Sequence, residues 1–163
     1  MAADGFRATP SELVASPDSA DLWADLGTRW RVLEQYLKPY PVCRWAQPAV
    51  EAAMAVRPRL DPARIARVRV ASFQEAVALA GAAPADGDAA QYALAFPVAA
   101  ALVHGRLGAE EIAGEGLHDP RVLDLAQRIE LIADERFDAR FPAERWCALS
   151  VTMDDGTEIA SGE

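Results

Sequence analysis

The stretch from Asp88 to His104, DAAQYALAFPVAAALVH, constrains this chain more than any other, because between those two ends it carries no acidic or basic side chain. It falls short of the roughly 20 apolar residues that a membrane span needs. It is also too long for an ordinary strand, so it reads as a helix buried in a core. Pro97 lies inside it, with no N–H to donate and a ring that collides with the preceding turn, so a kink or break is expected there. Gly105 stops the helix.

The other segments read as strands and shorter helices. Gln47 to Val56 (QPAVEAAMAV) is alanine-rich, with Pro48 at a tolerated first-turn position, and predicts a helix. Asp61-Pro62 opens a single helical turn. Arg64 to Phe73 alternates Ile65, Arg67 and Arg69 against Ala66, Val68 and Val70, as a strand does. Gly81 to Asp88 is a Gly/Pro/Asp loop. Helices are expected over Ala109–Ala113 and Pro120–Arg128, the second capped by Asp119, and a strand over Ile129–Ala133. Trp146–Met153 and Glu158–Ala160 flank Asp154-Asp155-Gly156-Thr157, an Asp-Gly turn that predicts a β-hairpin. Trp30 to Leu37 also alternates and predicts a strand ended by Pro39 and Pro41.

Such interspersed elements fold most economically as an α+β two-layer sandwich, a mainly antiparallel sheet covered by helices, with the hairpin at its C-terminal end. With 163 residues, 52% of them apolar, the chain can bury one core. Residues 1–28 read as an irregular arm with one short helix near Leu22, Trp23 and Leu26, and residues 29–163 as the domain.

A net charge of −9 with no basic block argues against nucleic acid and against an anionic membrane as partners. Cys43 and Cys147 lie far apart and match no CxxC or Cys/His spacing, so no metal is implied. The glycines form no phosphate loop, and no cofactor is expected. Without a signal peptide at its start, the chain is expected to be cytoplasmic.

Four segments carry a resemblance. Leu37 to Ala53, LKPYPVCRWAQPAVEAA, places a Lys-Pro-Tyr-Pro turn before a Cys-Arg pair and an alanine-rich helix. GDAAQYALAFPVAAALVHG, LHDPRVLDLAQRIEL and ALSVTMDDGTEIASGE follow in order. Together they resemble the second, α+β domain of the MmgE/PrpD family, the 2-methylcitrate dehydratase-like enzymes that act on small polycarboxylates. The likeness runs from about Leu26 to Glu163. It implies a capping domain over a cleft, a helical partner domain in the same polypeptide or another chain, a polycarboxylate ligand and a homodimer as one assembly. It also implies proton transfer beside a carboxylate, as in dehydration, decarboxylation or epimerisation. Several acid/base groups of the family, an Asp and a His among them, belong to the helical domain, so the isolated chain is expected to be inactive.

Lys38 is the only lysine among sixteen basic residues. The resemblance makes it catalytic, its ammonium pairing with a carboxylate or stabilising developing negative charge, whereas composition alone would leave it an ordinary surface lysine. Cys43 is a second catalytic candidate, a thiol activated by the following helix, or else a small apolar filler. Arg44 is a candidate for bidentate carboxylate binding, or a surface arginine. Gln47 stands where relatives often carry histidine, and Phe96 where they often carry tyrosine; neither replacement exchanges protons near neutrality. Gln47 remains a candidate substrate-binding group, and Phe96 is expected in the core. His104 and His118 read as helix-terminal residues, and the pairs Glu110-Glu111 and Asp154-Asp155 as solvated surface. The rival to a lyase or isomerase cap is a non-catalytic module, a small-molecule binder or an assembly domain.

Overall fold

A computed structural model of the protein describes residues 24–162. The expected short helix near Leu22 and Trp23 lies largely outside them. The chain falls into two compact units that divide between Leu37 and Lys38.

In the first unit the strand expected over Trp30–Leu37 is not formed. Arg31–Glu34 make a 3-10 turn, and residues 31–37 are all exposed. Alternation alone does not make a strand: no strand among the described residues pairs with this segment, and local pairing wins. Arg31 holds Asp25 at 2.8 Å, and Arg29 pairs with Glu34.

The second unit is the α+β sandwich. Its sheet comprises β1 (Ile65–Ser72), β2 (Ile129–Ala133), β3 (Cys147–Met153) and β4 (Glu158–Ala160), in the order β2-β1-β3-β4. The β1–β2 pair is parallel, whereas β1–β3 and β3–β4 are antiparallel. In β3, Cys147, Leu149, Val151 and Met153 face the core, and the intervening residues are half-buried. β1 departs from strict alternation: a bulge between Ile65 and Arg67 brings Ile65 to the same buried side as Val68 and Val70. An extra residue in one strand of a pair resets the face of everything before it.

The helices are α1 (Gln47–Val56), α2 (Gln74–Val77), α3 (Gly87–Gln91), α4 (Ala95–His104), α5 (Ala109–Ile112), α6 (Pro120–Gln127) and α7 (Glu135–Asp138). α1 matches its expected span, and its stripe of Ala49, Val50, Ala53 and Val56 is buried. Small residues on that stripe allow close packing, and α1 contacts both α4 and β3 while α4 contacts α6. Asp119 caps α6, accepting the N–H of Arg121 at 2.9 Å, and Asp61 caps the single turn Pro62–Arg64.

The long apolar segment is two helices, not one. It breaks at Tyr92–Leu94, and Pro97 falls in the first turn of α4, where a missing N–H costs nothing. The remaining orphan donors of that turn are met by a neighbouring loop. Leu94 and Ala95 donate to the Ala80 carbonyl at 2.8 and 3.0 Å, and Phe96 donates to that of Gly81 at 3.0 Å. From Ala93 to Leu102 every residue is buried.

Gly81 makes this cap possible. Its φ is +67°, and a Cβ there would sit 2.7 Å from the Cβ of Ala93. Left-handed backbone costs a residue with a Cβ roughly 1–2 kcal/mol, before any overlap. Gly81→Ala is therefore expected to lower stability by about 2 kcal/mol or more, read as a reduced midpoint in urea with an unchanged slope; an unaltered midpoint would show that the cap is dispensable.

Candidate functional site

Residues 38–47 form a turn that leads into α1. Two prolines, Pro39 and Pro41, fix backbone angles around Tyr40, and Val42 behind them is buried. Val42 N–H donates to the Tyr40 carbonyl at 2.9 Å, and Cys43 N–H donates to the carbonyl of Gln91, the last residue of α3, at 2.7 Å. The turn is thereby pinned to the break in the apolar segment.

Gln47, the first residue of α1, holds the turn from the other side. Its Nε2 donates to the carbonyls of Tyr40 and Val42, both at 2.9 Å, and its Oε1 accepts the Tyr40 N–H at 3.4 Å. Lys38 Nζ donates to the same Val42 carbonyl at 3.2 Å. Two of the residues singled out from sequence thus meet on one oxygen. Gln47 is occupied by the backbone on both ends of its amide, so its positioning role here is on the turn itself.

Lys38 is exposed, and among the described residues no carboxylate stands within ion-pair distance of it. An ammonium has three donors, so the bond to Val42 leaves it capacity for a ligand. Cys43 is half-buried and stands three residues ahead of Ala46, the N-cap of α1. That places it beyond the first turn, where the helix dipole acts most strongly. Arg44 is exposed beside it. Phe96 is wholly buried at the start of α4, as expected of a phenyl ring.

Sequence reasoning gave no role to Tyr40 and Glu51, which the fold joins. Tyr40 Oη donates to Glu51 Oε2 at 2.6 Å. Partial burial first, and then the Glu51 hydrogen bond and charge, push the phenol up to about 12. Tyr40 is therefore a neutral donor at physiological pH. The pair spans a turn and one helical turn beyond it, a separation with no local sequence signal. Glu51 also lines a cleft of ≈ 250 Å³ with Pro48, Arg145, Trp146 and Cys147. Burial pushes the Cys147 thiol up to about 12, so it is no nucleophile near neutrality.

One carboxylate departs from its expected setting. Glu111 is buried, accepting from Arg106 Nε at 2.6 Å and from the Gly108 N–H at 2.7 Å. These bonds outweigh the burial that works against its charge, and its pKa is lowered. A short loop that needed an N-cap drew it inward. Glu110 stays exposed, and Asp154 and Asp155 pair with Arg64 on the surface, at 2.7 and 2.9 Å.

No helix among the described residues is long and apolar enough to cross a membrane. Residues 40–163 match the family model of the MmgE/PrpD C-terminal domain. The match begins two residues after Lys38, so that lysine rests on the turn adjoining the matched span. Over 73 residues the chain is 36% identical to a mitochondrial 2-methylcitrate dehydratase of Yarrowia lipolytica, a stretch covering 42% of this chain and 13% of that protein. The chain therefore spans a small part of the curated relative it matches.

The Tyr40–Glu51 pair yields a direct test. Glu51→Gln removes the charge and weakens the bond, so the phenol is expected to titrate closer to its ordinary value of 10, from about 12 in the unaltered chain. Because the folded value is raised, the stability linked to this group is full below pH 10 and is lost as pH rises through about 12. Ultraviolet difference titration at the tyrosinate band resolves the change; identical curves for the two proteins would remove the pairing.

Proposed function

From the premise that this chain belongs to the MmgE/PrpD family, as that family's C-terminal domain, we propose that it caps a polycarboxylate site completed by a helical partner domain. In this reading it is part of a lyase or isomerase, with 2-methylcitrate or a related small polycarboxylate as substrate. The relative that shares 36% identity is a 2-methylcitrate dehydratase, which supports that substrate class. Lys38 supplies the positive charge, binding a substrate carboxylate or stabilising negative charge that develops beside it.

The observation that carries the proposal is the setting of Lys38. Its ammonium is exposed, tethered by one bond to the Val42 carbonyl, and stands on a turn clamped by Gln47 and by the Cys43–Gln91 backbone bond. A fixed base with a cation that retains free donors suits recognition of an anion supplied from outside the domain. Cys43 is the next proton-exchanging group along the segment, and Arg44 adds a guanidinium beside it. Tyr40 donates its hydroxyl hydrogen to Glu51 and so ties the turn to α1. The acid/base partners come from the helical domain, which leaves the isolated chain inactive.

A second reading draws on Gln47 and Phe96. A carboxamide committed to backbone carbonyls and a buried phenyl ring give the site two groups that transfer no protons. On that basis the domain is a binding or assembly module. Micromolar binding of 2-methylcitrate or citrate by the chain alone, measured by calorimetry, favours this module. No heat from the lone chain favours the cap.

Reconstitution with the helical domain separates the readings further. Removing one preorganised electrostatic contact commonly lowers turnover about 10²–10³-fold. Lys38→Ala in the reconstituted protein is accordingly expected to lose roughly a hundredfold in kcat on 2-methylcitrate, with an unchanged unfolding midpoint. Undiminished turnover would eliminate the proposed role of the lysine.

A further inference from the structure

A second concave surface lies at the opposite end of α1 from the Lys38 turn. Arg57, which follows α1, and Arg121 and Arg128 on the α6 side line a cleft of ≈ 430 Å³, with Val103 and Leu125 as its apolar wall. Two of these arginines have carboxylate partners. Arg121 grips Asp119 through Nε at 3.1 Å and Nη2 at 2.7 Å, and Arg128 holds Asp124 at 2.6 Å while donating to the Ile65 carbonyl.

Arg57 is different. Its Nη1 makes one long bond, 3.4 Å, to the Leu60 carbonyl, and its Nε is buried without any hydrogen-bond partner. A desolvated, unpaired guanidinium N–H is costly, and a partner that satisfies it recovers what burial has taken. The side chain lies against Gly105, where even a Cβ would stand 3.6 Å from its Cγ and 3.8 Å from Nε. Arg57 already lines the cleft, so a ligand carboxylate seated there reaches the Nε edge once the guanidinium turns that edge away from Gly105.

We propose that this cleft binds a small organic monocarboxylate, the carboxylate on the Nε edge of Arg57 and a short apolar tail against Val103 and Leu125. A guanidinium edge matches a carboxylate with two parallel N–H bonds. The nearby acidic groups do not fill the role. Asp124 is held by Arg128, and Asp61 accepts the Ala63 N–H at 3.0 Å as the cap of its turn. Those same acids limit the ligand's charge. Three arginines face Asp61 and Asp124 in the lining and Asp119 behind Arg121, so one more negative charge is accommodated far better than two or three. The apolar wall calls for carbon beyond the head group.

The 163-residue chain, labelled with ¹⁵N, is titrated with butyrate, with neutral butyramide and with inorganic phosphate, following the Arg57 Nε–H and the amides around Val103 and Leu125 by NMR. Butyrate is expected to give saturable shifts there, with butyramide and phosphate at least about tenfold weaker, a difference of 1.4 kcal/mol. Arg57→Gln is expected to weaken butyrate by about tenfold or more. If that variant does not fold, the comparison of butyrate with butyramide on the unaltered chain decides alone. Equal response to the amide, shifts that never saturate, or phosphate binding as tight as butyrate's, the mark of an adventitious ion only, would each overturn the assignment. None of these readouts involves Lys38, so the site stands or falls apart from the proposed capping role.

Discussion

The carboxamide of Gln47 is the interaction on which the candidate site depends. It stands at the first position of α1, and α1 itself is fixed by a buried stripe of small residues packed against α4 and β3. The helix therefore offers a rigid base from which one side chain bonds the carbonyls of both Tyr40 and Val42. Each such bond contributes about 1 kcal/mol net when its groups are shielded from water. Their larger effect is geometric, because they fix the backbone oxygen to which Lys38 is tethered.

The core below this turn is organised around a break. The apolar segment divides where the 80–81 loop supplies carbonyls to the start of α4, and the carbonyl of Gln91, just before the break, receives Cys43 N–H. One irregularity thus serves two purposes, starting the most buried helix and anchoring the candidate site. Phe96 follows directly. Its phenyl ring is buried completely and leaves no polar group to satisfy.

Much of the fold was legible in sequence because its signals are local. The bounds of α1 follow from Pro48 and the alanine run, the hairpin from Asp-Gly, and α6 from Asp119-Pro120. Other features depend on contacts that sequence order hides. α2 and α7 each span a single turn, too short to show a period. The Trp30–Leu37 alternation has no strand to pair with among the described residues, and the bulge in β1 moved Ile65 across the sheet. In the site, Lys38 and Gln47 were visible as residues of interest, but their meeting on the Val42 carbonyl was not. Nor was Tyr40–Glu51, since that bond joins a turn to a helix face. Glu111 was read as solvated because charge usually is; the unmet N–H of Gly108 drew it inside.

The claim that Gln47 immobilises the turn beneath Lys38 is tested most directly by amide hydrogen exchange in Gln47→Ala. Val42 and Cys43 N–H are both bonded, to Tyr40 and Gln91 carbonyls, and are expected to be protected in the unaltered chain. Loss of the carboxamide should speed exchange at these two positions by about tenfold or more while the β3 amides keep their rates. Unchanged protection at Val42 and Cys43 would contradict the account, since the turn would then hold its shape without the side chain said to fix it.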